Sequence, residues 1–357
     1  MLGVGRDLAK AAAHDRRRFA AMPCHGATGK ELMAAYRKPA LVSLALIATL
    51  VAGAFAWLWF AHGAYGFGVL FRRGGTYWIT VPPDSPRLSP SMRLALRDVP
   101  PQVEAGAFTW SEAEPGFETA EIPVLAEGVE VDRILLARID PHQFRFVVRN
   151  APTGDKGIDQ WQQALPEALL IINGSYFDAR GLPDTPIVSE GVAAGPKDYD
   201  ARGGAFVDAD NSAHLVDLAG RDWKGELAGA RNAMVSYPLL IDSNGHTRTG
   251  PESHWLSNRT FLGEDGAGRI LVGTTKEAFF SLTRLAVFLK TVPLDLRLAL
   301  NLDGGPVACR STRLKGVEQK FYAEWESQFR DGRVSLLRSV IPRVSWGMPM
   351  ALTVERR

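Results

Sequence analysis

The sequence predicts an α+β fold: a mixed, largely antiparallel β-sheet wrapped around a central helix and preceded by one N-terminal transmembrane helix. Three observations lead there. The run Leu41–Ala61 is almost wholly apolar and long enough to cross a bilayer. From about Phe108 onward, ten short β-like runs are separated by turn residues, and several alternate apolar with polar. Only two later segments read as helices, and no βα alternation persists that would favour a doubly wound sheet.

The bulk numbers agree with a folded chain. It has 357 residues, 46% of them hydrophobic and 22% charged, enough to bury one large core. The formal net charge of +2 is small, and the basic residues form no stripe interleaved with aromatics. No nucleic-acid partner is expected.

At the amino end, residues 1–38 form a basic leader carrying Arg6, Lys10, Arg16, Arg17, Arg18, Lys30, Arg37 and Lys38. Residues 39–62 are the expected span, with Trp57, Trp59, Phe60 and Tyr65 suited to an interfacial belt. Only Arg72 and Arg73 follow closely. The charge bias keeps the leader in the cytoplasm, so the chain is expected to be a single-pass inner (cytoplasmic) membrane protein with an extracytoplasmic or periplasmic C-terminal domain. The small-residue site Ala54-Phe55-Ala56 runs into bulky Trp57, which favours an uncleaved anchor over a signal peptide. Cys24 and Cys309 then lie on opposite sides of a membrane and cannot pair, and Cys309 is expected as a small buried residue.

Residues 63–107 are rich in proline (Pro82, Pro83, Pro86, Pro90, Pro100, Pro101) and read as an extended tether, with a short helix near Met92 able to dock on the domain. The domain itself is placed at 108–357. Its strands are expected in "FETAEIPV", "VDRILLARID", "QFRFVVRN", "ALLIING", "GGAFVD", "AHLVDL", "AMVSYPLLID", "GRILVGTT", "LRLALNLD" and "PMALTVE". The first helix is "GIDQWQQALPEAL", with Ile158, Trp161 and Leu165 on one face. The second, "KEAFFSLTRLAVFLK", is apolar nearly all round, which would put it at the centre of the domain. Residues 311–338 turn polar and basic and read as a surface loop or as a lid beside a site.

Three places join the end of an apolar strand to a polar turn, where a rigid scaffold commonly presents chemistry. In "LLIINGSYFDARG", Asn173 and Gly174 permit a tight turn, and Asp178 is either a turn cap or a working carboxylate. In "SNRTFLGEDGAGRILVG", Arg259 offers a planar fork for two phosphate oxygens or else a structural ion pair, and "EDGAGR" is a hairpin turn. In "ALNLDGGPVACRS", Asp303 arrives at a strand end, and Gly304-Gly305 could form an anion-binding nest or an ordinary hairpin. Pro306 weakens the hairpin reading because it cannot donate to a following ladder. No H-E-x-x-H, Walker A or G-x-S-x-G sequence occurs, and His142, His214, His246 and His254 share no ligand spacing.

Taken together, "INGSYFD", "MVSYPLLIDSNG", "SNRTFLGEDGAGRILV" and "ALNLDGG" resemble, in order and approximate spacing, the phosphodiester glycosidase family, which includes the uncovering enzyme and many bacterial members. The resemblance covers roughly Phe108 to the C-terminus. Asn173, Gly174 and Asp178 match its first motif; Arg259, Thr260 and Gly263 match the third; Asn301, Leu302, Asp303, Gly304 and Gly305 match the last. Departures are Ser175 and Tyr176 in the first motif, "GTTKEAF" after the third, and "PVACRS" after Gly305.

The resemblance implies hydrolysis of a sugar joined through its anomeric oxygen to a phosphodiester. The leaving phosphomonoester needs little protonation, so the site must hold anionic oxygens and a cation-like sugar. Asp303, Asp178 and Arg259 are the expected catalytic residues. Asn173, Gly174, Thr260, Asn301, Gly304, Gly305 and Arg310 are the expected substrate contacts, Arg310 as a second phosphate ligand. The substrate would be a glycan or glycolipid sugar-phosphodiester. No metal ligands or cofactor are assigned, although the sequence leaves room for a divalent cation. Two other functions fit the same residues: a non-catalytic envelope protein that binds phosphorylated glycan, and a metal-assisted phosphodiesterase.

Overall fold

A computed structural model describes residues 29–73, 76–154, 156–200, 202–339 and 346–357. The leader's Arg6 to Arg18 and Cys24 lie outside the described residues. Gly29–Arg73 is helical, with Pro39 inside it and a break at Gly63, where φ is 60°. Within it, Leu41–Ala61 has a mean hydropathy of 2.3 and no buried residue, so by length and composition it can cross a membrane.

Every strand pairing among the described residues is antiparallel. The largest sheet has eight strands. Its main path runs Leu239–Ile241, Leu296–Asn301, Thr260–Asp265, Ile270–Thr275, Val129–Ile139, Phe117–Ala126 and Glu104–Ala105, and Ser111–Glu114 pairs beside Phe117–Ala126. Along these strands successive residues point into different cores. Phe261 and Leu271 pack on one side with Phe279, Phe280 and Leu285, whereas Leu262, Ile270 and Val272 pack on the other with Phe146, Phe206 and Leu352. A sheet buried on both faces needs apolar residues at consecutive positions, which is why "ILV" and "LLA" occur without alternation. Glycine serves the same packing. A Cβ at Gly273 would lie 2.2 Å from the ring of Phe261, its cross-strand partner, so glycine there makes room for the aromatic.

Two five-stranded sheets cover the second face. One runs Val317–Phe321, Arg310–Leu314, Leu170–Asn173, Met350–Arg356, Phe144–Asn150; the other runs Ser212–Asp217, Gly204–Ala209, Asn232–Ser236, Ile187–Ser189, Val192–Ala194. A fourth sheet joins Thr76–Val81, Arg333–Ser339, Glu326–Arg330 and Trp255–Ser257.

The helix Leu282–Thr291 is capped by Ser281, whose hydroxyl accepts from Arg284 N, and it packs near Leu239–Ile241 and Glu104–Ala105. It buries Leu285, Ala286, Phe288 and Leu289, while Val287 is 56% exposed. The helix therefore packs one apolar face against the sheet and leaves part of its surface open, although its sequence is apolar nearly all round. The other helix, Ile158–Ala164, buries Ile158 and Trp161 as the spacing predicts.

Two expectations are corrected. The proline-rich segment is not a free tether: Thr76–Val81 pairs with Arg333–Ser339, and Leu88, Met92 and Ala95 enter the core at 2% exposure or less. Its prolines serve local structure instead, Pro90 opening the helix Pro90–Ala95 behind the Ser89 cap. Residues 311–338 are not an irregular loop either, since they contribute most of four strands from Arg310–Leu314 to Arg333–Ser339. Their polar residues alternate with buried ones such as Ser327, Val334 and Leu336, a strand pattern masked by net charge.

Asp132 ties the sheet to the segment leading toward the helix at Leu282. Its Oδ1 accepts from the amides of Arg133 (2.6 Å), Lys276 (3.1 Å) and Glu277 (2.9 Å), and Oδ2 has no partner among the described residues. Burial pushes its carboxyl well above the ordinary value despite those amides. The folded chain thus holds a proton on Asp132 at pH values where the unfolded chain has released it. Stability therefore falls as pH rises from the ordinary carboxyl range toward the raised folded value. We expect Asp132→Ala to cost about 2–4 kcal/mol by stranding buried amides. Asp132→Asn keeps an acceptor, costs less, and flattens this fall when unfolding of the full chain is followed across pH.

Candidate functional site

All four sheets end at one place. Asn173 closes its strand in one five-stranded sheet, and Ser236 closes its strand in the other. Arg259 precedes Thr260–Asp265 and Asn301 ends Leu296–Asn301 in the eight-stranded sheet, while Ser257 and Glu326 are paired in the four-stranded one. Hydrogen bonds stitch these ends together. Asn173 Nδ2 donates to Asp303 O (2.8 Å), Ser236 Oγ to Asn301 O (2.6 Å), Asn301 N to Pro238 O (3.0 Å) and Leu302 N to Thr260 O (2.9 Å).

Asn258 holds the fourth sheet in place. Its Oδ1 accepts from the amides of Glu324 (3.1 Å) and Trp325 (2.9 Å), and its Nδ2 donates to the carbonyls of Thr275 (3.3 Å) and Lys276 (3.1 Å). Its own carbonyl accepts from Gly305 N at 2.9 Å. The Gly304-Gly305 turn therefore lies flat against Asn258-Arg259. A Cβ at Gly304 would lie 2.9 Å from Asn258 O, and one at Gly305, where φ is +68°, would lie 2.5 Å from Glu326 Oε2. No side chain fits at either position. The turn is neither hairpin nor open nest, because both carbonyl and carboxylate oxygens already press on it.

Arg259 is 6% exposed, and its Nη2 donates to Trp255 O at 2.5 Å. Nε has no partner among the described residues. Burial pushes the guanidinium down from its ordinary value, and Tyr176, Glu326, Asp303 and Glu252 oppose that fall. Asp303 is pushed up to about 7 by burial, with the Glu326 charge adding to the rise and Gly304 N–H (2.8 Å) and Arg259 resisting it. Glu326 is also raised by burial, opposed by Arg259 and by Trp255 Nε1–H at 3.2 Å. The cluster is thus a guanidinium facing two carboxyls, both held above their ordinary values.

Two tyrosines border it. Tyr176 and Tyr237 stack with centroids 4.4 Å apart and planes 23° apart. Tyr176 OH donates to Tyr237 O (2.8 Å) and accepts from Asn301 Nδ2 (2.7 Å), and burial, then Asp303, raise it above the ordinary phenol value. Pro238 follows through a cis peptide bond. The buried Oδ1 atoms of Asn173 and Asn301 have no hydrogen-bond partner among the described residues. Unpaired buried acceptors in a structured turn are costly and cluster where a ligand group can pair with them.

Tyr237 also lines a cavity of about 650 Å³ with Asp178, Arg180, Asp184, Gly195 and Tyr199. Asp178 is a turn cap here. Its Oδ1 accepts from the amides of Arg180 (2.8 Å) and Leu182 (3.0 Å), and Oδ2 pairs with the Arg180 side chain. Burial alone would raise Asp178, but these partners hold it low.

Of the expected residues, Asn173, Arg259, Thr260, Asn301, Asp303, Gly304 and Gly305 come together, and Gly174 packs beneath them against Met350. Asp178 stands in the adjoining cavity. Arg310 is elsewhere, donating to the carbonyls of Leu135 (2.7 Å) and Val272 (3.4 Å). Arg310 opens its strand opposite Ile172, and because successive strand residues point to opposite faces its side chain runs inward to these carbonyls. Cys309 is buried at 0% exposure, as its surroundings in the sequence predict. Sequence reading missed Glu326, Trp255 and Asn258, and it quoted Tyr176 and Tyr237 without assigning them roles. The Tyr-Pro dipeptide was the one local signal for the latter pair.

Residues 166–326 match the family model described as phosphodiester glycosidase (NAGPA). No curated protein matches the chain. Among solved structures, the chain is similar to the zebrafish N-acetylglucosamine-1-phosphodiester alpha-N-acetylglucosaminidase catalytic domain auto-inhibited by its pro-peptide. That match is 15% identical, covers 78% of this chain and 88% of that one, and has a TM-score of 0.44. A hypothetical protein from Synechocystis is 14% identical over 72% of this chain and 68% of that one, with a TM-score of 0.41. The matched segment runs from before Asn173 to Glu326 and so includes every side chain placed in the cluster: residues 166–326 carry the phosphodiester glycosidase pattern, and the candidate site with it.

Proposed function

We propose that the protein is a membrane-anchored, extracytoplasmic hydrolase that cleaves a sugar-1-phosphodiester of an envelope glycan or glycolipid into free sugar and phosphomonoester. The observation that carries this reading is Arg259. A buried guanidinium that faces Asp303 and Glu326 yet, among the described residues, bonds directly only to a carbonyl leaves its charge available to an anionic ligand. A phosphodiester supplies such an anion. The cavity beside Tyr237 is large enough for a sugar and offers the carboxylate of Asp184 as an acceptor.

Asp303 retains its proton up to about 7, and burial raises Glu326 as well, while Arg259 and the Trp255 Nε1–H favour its carboxylate. The two carboxyls are assigned different tasks. Neutral Asp303 does not repel the phosphate and donates a hydrogen bond to the departing oxygen. Ionised Glu326 acts on the sugar side, attacking the anomeric carbon or taking a proton from water. The anomeric C–O bond breaks, water supplies the new sugar hydroxyl, and the phosphate leaves with its electron pair beside Arg259. Asp303 therefore takes the acid role rather than that of nucleophile or base, and Asp178 has no part in the chemistry. The charge bias of the sequence on either side of the apolar helix supports a domain outside the cytoplasm.

Turnover is tested with full-length protein and a panel of sugar-1-(methyl phosphate) diesters in heavy-oxygen water. Label is expected in the sugar. Label in the phosphate, or no turnover by folded protein across the panel, rejects the glycosidase reading.

Activity should fall as pH rises through about 7, as Asp303 loses its proton. Glu326→Gln should lower kcat by about 10²–10⁴. It should also move the residual falling limb to lower pH, because removing the neighbouring charge lets Asp303 ionise more easily. Asp178→Asn, which loses one partly exposed ion pair worth roughly 1 kcal/mol or less, should leave kcat within a few-fold of wild type. A large loss there would return the chemistry to Asp178.

A further inference from the structure

Arg310 is 2% exposed, and its partners are neutral: Nε donates to Thr312 Oγ1 at 3.1 Å, and Nη1 to the carbonyls of Leu135 and Val272. Nη2 makes no hydrogen bond among the described residues. Buried charges are ordinarily paired, because desolvating a cation costs more than neutral acceptors return. Burial lowers this guanidinium to about 10, with only Glu121 opposing. Glu121 is itself held by Arg133 (3.0 Å) and by Gln319 Nε2 (2.9 Å), so its charge is already spoken for.

The side chain lines a cavity of about 440 Å³ together with Ser111, Thr119, Glu121 and Gln319. Ser111 and Thr119 are direct cross-strand partners, which puts two hydroxyls on one wall. Glu318 stands exposed at the rim. We propose that this cavity is a second anion site, separate from the Asp303 cluster, in which Arg310 and the paired hydroxyls hold a small singly charged oxyanion group. The carboxylates of Glu121 and Glu318 disfavour a multiply charged ligand. A carboxylate and a phosphate ester share the required chemistry.

Calorimetric titration of the full chain with acetate and, separately, with inorganic phosphate at mildly acidic pH tests the site and tells the two sources apart. Saturable binding of at least one ion is expected at about millimolar affinity. Ser111→Asp places a negative charge at the exposed edge of the cavity without disturbing the core and should weaken it about tenfold or more, whereas Ser111→Asn should retain it. Arg310→Gln, if folded, should abolish it. Absence of saturable binding by either ion overturns the proposal. Binding that ignores Ser111→Asp overturns it as well, since the ion then sits at Arg259 or elsewhere, a result that leaves the glycosidase reading untouched.

Discussion

The site depends on Asn258. Its side chain spends both ends on backbone, the oxygen on the amides of Glu324 and Trp325 and the nitrogen on the carbonyls of Thr275 and Lys276. The residue thereby fixes the end of one sheet against the start of another. Neither aspartate nor leucine could do this, since the first lacks the donor and the second lacks both functions. Because Asn258 O also accepts from Gly305 N, the segments bearing Arg259, Asp303 and Glu326 share one anchor. These residues are far apart in sequence, and a loose joint would let two carboxyls and a guanidinium collapse into an ion pair.

Keeping them from collapsing is what gives the cluster its electrostatic character. A direct ion pair would lower both carboxyls and satisfy Arg259. Among the described residues the guanidinium instead meets one carbonyl and its Nε none, while Asp303 and Glu326 are raised by enclosure and Asp303 also by its acidic neighbour. Groups left short of partners in a site this rigid store free energy that a correctly charged ligand can recover. The same logic separates Asp178 from the cluster. That carboxylate is saturated by two amides and Arg180, so nothing is left for a substrate to complete.

Much of this was legible in the sequence, for identifiable reasons. Strand ends with Asn-Gly, Arg-Thr and Asp-Gly-Gly marked three of the converging segments, since apolar runs that stop at a polar turn leave little choice of structure. The short helix near Met92 was also expected. Other features depend on contacts that no local pattern records. Glu326 lies in a polar, basic stretch whose strands are stabilised by pairing with Thr76–Val81 and Trp255–Ser257, both distant in sequence. The prolines near residue 90 suggest an extended linker until Leu88 and Met92 find a core to enter. Arg310 follows the glycine turn at the candidate site, yet strand pairing turns its side chain the other way.

The requirement for glycine at Gly305 shows why position in the fold, rather than residue type, decides the chemistry. Viewed as sequence, Asp-Gly-Gly offers flexible amides to an anion. In the fold, Gly305 N–H is consumed by Asn258 O and Ser257 Oγ, and the missing side chain admits the Glu326 carboxylate to within van der Waals reach of the backbone. The glycine therefore contributes space more than donors. It lets the Glu326 carboxylate close in on the turn that follows Asp303, where its charge adds to the burial that pushes Asp303 up to about 7.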